Sequence, residues 1–296
     1  MSQRIADAIR NQEWRAAVTA RMRNLLIASI AILPIWGTAE AQESPDIRVR
    51  VGLGAQLQPE FVGADKVDMS PLFHVNTARG THEFSFGAPD DSPSISLVSK
   101  AGFAFGPSAN IQWKRKQSEV GAPIGNVSTT VELGAFAQYE VKDSFRLRAE
   151  LLKGIDGHEG LLGSVGADKI WRDADRYVLS IGPRVLFSDG RYQRAYFGIR
   201  PAQSLASGLA VYRPGGGVYA VGITSGFSYQ LDSRWGLFGF ARYERLVGNA
   251  GRSPIVRELG SRNQLAGGIG LNYTFTIERG AVTRRRYPVS GGGDVP

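Results

Sequence analysis

The chain has 296 residues, 37 glycines, no cysteine, a hydrophobic fraction of 43% and a mean hydropathy of −0.16. That hydropathy is too low for a bundle of membrane-spanning helices, and a chain without cysteine has no disulfide staples. The formal charge of +8 comes from arginines spread singly along the chain, not gathered on one basic, aromatic-rich face, which argues against nucleic acid as a partner.

The first element is the apolar run Leu25–Trp36, preceded by Arg21 and Arg23 and followed by Ala39-Glu40-Ala41. It is too short to span a bilayer as a helix. A basic flank, a short apolar stretch and an A-x-A end read as a secretory signal peptide over residues 1–41, cleaved after Ala41. The stretch ahead of the apolar run is long for a basic flank, so translation is expected to start at Met22.

From residue 42 to 275 no helical period persists and segments of period two follow one another. In 47–58, Val49, Val51, Leu53 and Leu57 share one face, and Arg48, Arg50, Gly52 and Gln56 share the other. The same alternation runs through 131–141, 177–187, 219–229 and 265–275, always with an apolar face opposite a small or polar one. Segments this long suit tilted strands that cross a bilayer, because a soluble sandwich strand is usually about half as long. Greasy outside and polar inside is the pattern of a transmembrane barrel. Barrels alternate short turns with long loops. Lys142-Asp143 and Asp232-Ser233 are tight turns; 117–128 and 248–262 are long loops. A strand over 193–200 would break that alternation, so 188–216 is taken as one external loop. The expected strands are 47–58, 69–77, 81–88, 93–99, 101–115, 129–141, 144–154, 160–170, 176–188, 217–230, 235–247 and 263–275. The fold class is therefore an all-β, transmembrane antiparallel β-barrel of about 12 strands, with ten as the alternative if the third and fourth merge or drop out. Trp113, Tyr139, Trp171, Tyr177, Tyr229, Trp235, Tyr243 and Tyr273 lie near strand ends, where an aromatic belt would sit at the lipid headgroups.

Inward parity places Arg48, Arg50, Arg146, Arg148, Glu150, Arg184, Arg242 and Glu244 in the lumen. Such charges either pair and fill a small barrel or line a narrow pore with a mild preference for anions; the paired reading is favoured. His74, His82 and His158 fall in no nucleophile setting and are expected to be solvated or at the rim. No His or Cys cluster has metal spacing, and Gly215-Gly216-Gly217 lacks the Lys-Ser/Thr and the helix of a phosphate loop. No catalytic, cofactor or metal site is expected. The tail 276–296, with Arg284-Arg285-Arg286 and Gly291-Gly292-Gly293, is basic, Gly-rich and expected to be disordered.

The run 243–275 carries Arg245-Leu246, Gly248-Asn249-Ala250, then Ser253, Pro254, Ile255 and Val256, then Gly260, Ser261, Arg262, Asn263 and Gln264, then a strand closing in Tyr273 and Phe275. With Ala195–Gly198, Pro201–Leu209 and weaker matches at 52–63, 131–136 and 154–160, it resembles the MipA/OmpV family, the MltA-interacting outer-membrane proteins. Members usually carry an acid where Asn249 stands and end at the terminal aromatic, an insertion signal that here is Phe275. The resemblance implies a barrel of the outer membrane of a diderm bacterium, inserted by the barrel-assembly machinery and in contact with outer-membrane lipid. It also implies a non-enzymatic role: a structural scaffold for peptidoglycan that brings a murein transglycosylase and a murein synthase together. A small-solute porin-like channel is the alternative, and a lipid- or peptide-cleaving barrel enzyme comes third. In the signature loop, Arg257, Glu258, Arg262 and Asn263 are expected to fold back and fix the barrel mouth.

Overall fold

Period-two alternation turns most of the chain into strand, and the structure, a computed structural model, describes residues 46–142 and 144–278. The expected signal peptide, the start at Met22 and all but the first residues of the tail lie outside the described residues. The strands are β1 (Ile47–Pro59), β2 (Val67–Arg79), β3 (Val98–Lys100), β4 (Phe103–Gln112), β5 (Thr130–Val141), β6 (Phe145–Ile155), β7 (Leu161–Asp173), β8 (Tyr177–Ser188), β9 (Gly217–Gln230), β10 (Trp235–Leu246) and β11 (Asn263–Ile277). All pair antiparallel in one sheet ordered β2-β1-β11-β10-β9-β8-β7-β6-β5-β4-β3. Ile47 lies opposite Ile277, so β1 begins where β11 ends.

The outer face is apolar and bare. Leu53, Phe73, Leu147 and Ile269 are each more than half exposed, as are many of their neighbours in parity. A water-soluble protein does not leave so continuous an apolar surface, whereas hydrocarbon is its natural solvent. Tyr139, Trp171, Tyr177, Tyr229, Trp235 and Tyr273 gather at the end that carries the short turns, where Tyr177 faces Tyr229 and Trp235 packs edge-on against Tyr273.

Eleven strands form where twelve were expected. The missing one is 81–88, and its fate explains the miss. The chain leaves β2 at the short-turn end and runs back along the inside of the curled sheet, reaching the inner faces of β1, β6, β8 and β9. It then returns along β4 through the Ser94–Ser108 bridge and the Ile95 and Leu97 amides, which donate to Pro107 and Phe105. The expected strand 93–99 is thus irregular as far as Leu97 and becomes regular only in β3. Twelve passes are made, but the third is inside the lumen. Among the described residues no strand pairing joins β2 to β3, so the ladder is curled but not closed.

At the other end, the long loops carry α1 (Gln117–Val120), α2 (Gly190–Phe197), α3 (Pro201–Ser207), α4 (Gly248–Arg252) and α5 (Pro254–Glu258). The segment expected as a plain external loop, 188–216, holds α2 and α3. Asp189 caps α2 by accepting from the Arg191 and Tyr192 amides at 2.9 Å, and Pro201 opens α3 where its missing N–H costs nothing. Two apolar clusters knit these loops together, one around Tyr192, Phe197, Tyr219 and Val256, the other around Phe61, Ile124, Ile199 and Ile255.

Candidate functional site in the lumen and at its mouth

The lumen is filled by charge that the inner segment completes. Asp168 on β7, 2% exposed, accepts from Arg146 at 2.7 and 3.0 Å and from Arg184 at 2.7 Å. Each guanidinium takes a second carboxylate from the inner segment. Asp91 meets Arg146 at 3.0 Å, and Asp90 meets Arg184 at 2.6 and 3.0 Å while accepting from the Thr224 hydroxyl at 3.1 Å. Arg148 lies 3.3 Å from Glu150 and 3.5 Å from Asp91, and Glu150 accepts from the hydroxyls of Ser92 at 2.7 Å and of Ser108. Buried charges are tolerated only when paired and hydrogen-bonded, and this ring meets both conditions.

Aromatic rings seat the other end of the inner segment. Phe84 lies under Arg50 at 4.1 Å and Arg48 at 4.8 Å, and Phe86 lies under Arg146 at 4.7 Å. Asp175 accepts from the Phe84 amide and from Arg48, both at 2.9 Å, and Arg172 donates to the Phe84 carbonyl at 3.0 Å. Gly226 leaves the room that Pro89 needs, because a Cβ there would stand 2.7 Å from the proline ring.

Arg48, Arg50, Arg146, Arg148, Glu150 and Arg184 thus lie in or against this filling. Arg242 and Glu244 pair with each other at 3.5 Å and stay partly open. They line a cavity of about 450 Å³ on the loop side of the inner segment, and a second of about 330 Å³ lies on the short-turn side. The two share no lining residue. Sequence reasoning missed Asp90, Asp91, Asp168, Arg172 and Asp175. Asp168 and Arg172 share the inward parity of Gly166 and were legible there; Pro89-Asp90-Asp91 reads as a turn.

The mouth is built around a histidine expected at the rim. His158 is instead fully buried, its Nε2 2.9 Å from Glu132 Oε1 and its Nδ1 accepting from the Gly160 amide at 2.9 Å. Its ring stands edge-on to Tyr192, which packs at a tilt against Tyr196 and Tyr219 with centroids 4.9 and 5.3 Å apart. Tyr219 points inward because a bulge in β9 steps past it: Phe187 pairs with Val218 and Leu186 with Ala220. Burial holds the Tyr192 and Tyr196 phenols well above their ordinary range and pulls Arg115, which donates to the Tyr196 carbonyl at 2.8 Å, down to about 10. His74 is half-buried against Phe238, while His82 is exposed. Among the described residues no group of three or more His, Cys, Asp or Glu is placed to hold a metal ion.

The signature loop docks through other residues than expected. Arg257, Glu258 and Arg262 are exposed, and Asn263 accepts from Tyr243 and Arg245 on the neighbouring strand at 2.9 Å. What fixes the loop is apolar and amide chemistry, which needs no charge to be desolvated. Pro254, Ile255 and Val256 are buried, and Ser253 donates to the Phe197 carbonyl at 2.8 Å. Gln264 accepts from the Gly63 amide at 2.9 Å and donates to the Ala64 and Ser261 carbonyls at 3.0 and 2.8 Å. Gly260 sits where a Cβ would strike the Gly63 carbonyl, and the Ser261 amide donates to that carbonyl at 2.9 Å. Asn249 donates to the Gly215 carbonyl at 3.3 Å, a bond no carboxylate could make. In β11, Tyr273 packs on Trp235 and Phe275 faces outward.

No curated protein matches the chain. Among solved structures it is similar to an outer membrane channel of Pseudomonas putida F1 (9% identity, TM-score 0.39, covering 82% of this chain and 100% of that one). It is also similar to the outer membrane channel DcaP of Acinetobacter baumannii (10% identity, TM-score 0.35, covering 81% and 100%). At such scores neither says anything about the contents of this lumen. The family model described as MltA-interacting protein MipA matches residues 51–275, from inside β1 to inside β11. The chain belongs to that family, and it is a barrel of the bacterial outer membrane.

Proposed function

We propose that the protein is an outer-membrane scaffold that holds a murein transglycosylase, and with it a murein synthase, at its periplasmic end, and that it performs no chemistry of its own. The family description, an MltA-interacting protein, supports the transglycosylase as partner. The observation that carries the scaffold reading is the filled lumen: the segment 81–92 is tied by Asp90 and Asp91 to Arg184 and Arg146 where a transport path would run. The short turns lie at the same end of the sheet as the start of β1 and the end of β11, and in bacterial barrels the short-turn end faces the periplasm, where murein enzymes work. Binding of a purified lytic transglycosylase to the full chain in detergent micelles tests the reading. Saturable binding that a lipid-only micelle does not show is expected; its absence overturns the reading.

The alternative is a small-solute channel with mild anion preference. The two cavities on either side of the inner segment favour it, and it requires that segment to leave the lumen.

A further inference from the structure

The structure assigns a carboxylate-binding site to the periplasmic mouth of the lumen, with Arg50 as its anchor. Among the described residues seven strand arginines point into the lumen, and six of them have a carboxylate within 3.5 Å: Arg48, Arg146, Arg148, Arg172, Arg184 and Arg242. Arg50, only 5% exposed, has none among the described residues. Its Nε donates to the Thr274 hydroxyl at 3.3 Å and one terminal nitrogen donates to Gln230 Oε1 at 3.0 Å, both neutral acceptors. One face of the guanidinium is covered by Phe84 at 4.1 Å. That leaves its NH1 nitrogen, and Arg50 is part of the lining of the open cleft of about 330 Å³ at the short-turn end. A guanidinium withdrawn from water without a counter-charge is costly, and an Arg edge with two parallel N–H groups matches a planar carboxylate.

The charges around the cleft narrow the ligand class. The cleft is lined by Arg48, Arg50 and Arg176 against Asp175 and Asp232, with Arg48 paired to Asp175 at 2.9 Å, so its wall keeps one net positive charge. One monocarboxylate balances the site; a phosphate dianion overshoots it. The cleft opens on the periplasm, and its volume suits a molecule of amino-acid size or the end of a short peptide, not a macromolecular surface.

The test titrates acetate, and separately inorganic phosphate at a pH where it is a dianion, into the full chain in dodecyl maltoside micelles at fixed ionic strength. NMR of isotope-labelled acetate reads the binding. Saturable acetate binding in the millimolar range and weaker phosphate binding are expected. Arg50→Met removes the acetate site and Arg50→Lys weakens it at least about tenfold, because an ammonium cannot bind in two-point fashion. Folding of each variant is read independently from its heat-modifiable migration on gels. Should both misfold, Gln230→Ala keeps Arg50 and is expected to weaken acetate several-fold. Acetate that never saturates, variants that bind like the parent, or phosphate that binds more tightly than acetate each overturn the assignment.

Discussion

Asp168→Asn isolates the centre of the lumen. The carboxylate is 2% exposed and stands between two guanidiniums, 2.7 Å from Arg146 and 2.7 Å from Arg184. The amide keeps the shape but removes the charge, and it must turn one NH2 group toward a guanidinium. Breaking a buried ion pair by neutralising one member costs about 3–5 kcal/mol, because the partner charge stays buried. Here each arginine keeps a second carboxylate, Asp91 or Asp90, so the loss falls at the low end, about 3 kcal/mol. Urea unfolding in micelles, followed by the folded-to-unfolded shift on unheated gels, reads it as a lower midpoint with an unchanged slope. A midpoint equal to the parent's would mean instead that water already screens this ring and that the buried pairs contribute nothing to stability.

Four further substitutions probe other parts. Gly226→Val drives a side chain into Pro89, so it should cost about 1–3 kcal/mol by overpacking and loosen the inner segment, read as faster proteolysis within 81–92. Asp189→Ala removes the α2 cap and should cost about 1 kcal/mol near neutral pH. Burial works to raise the Asp189 carboxyl, but the Tyr192, Leu161 and Arg191 amides outweigh it and hold the group below its ordinary range. Its contribution is therefore fully present above the unfolded-state carboxyl value and lost as pH falls through the lower folded one, so parent and variant should converge only in strong acid. His158→Ala strips the buried partner from Glu132 and should lower stability by several kcal/mol, whereas His74→Ala at a half-buried wall position should cost far less; equal losses would contradict the different burial of the two rings.

The strands were legible because alternation is local. Val51 and Arg50 declare their faces through their immediate neighbours, and the structure places them outside and inside as parity requires. The same alternation misled at 81–88. His82, Phe84 and Phe86 alternate with Glu83, Ser85 and Gly87 as a strand would, but period two does not tell whether an extended segment joins the ladder or lies within it. What decides is Asp90 meeting Arg184 and Asp91 meeting Arg146, contacts between residues far apart in the chain. His158 was misplaced for a like reason: a Gly-rich turn reads as exposed, and only packing against Tyr192 from another loop buries it. In the signature loop the docking falls to Ser253, Ile255 and Gln264, and the expected charges stay at the surface, because a charge buried in that contact would have to shed its water. Arg50 stands apart among the strand arginines because a missing partner shows only once each of the others has been matched with its acid.

The inner segment and its ion pairs fill the lumen. Single-channel recording of the full chain in planar bilayers, with Asp90→Asn/Asp91→Asn beside it, reads whether that filling blocks ion flow. The parent should show no sustained conductance, and the double variant, with both tethers to Arg184 and Arg146 weakened, should show intermittent openings. A parent that conducts in steady, ohmic steps would contradict the account.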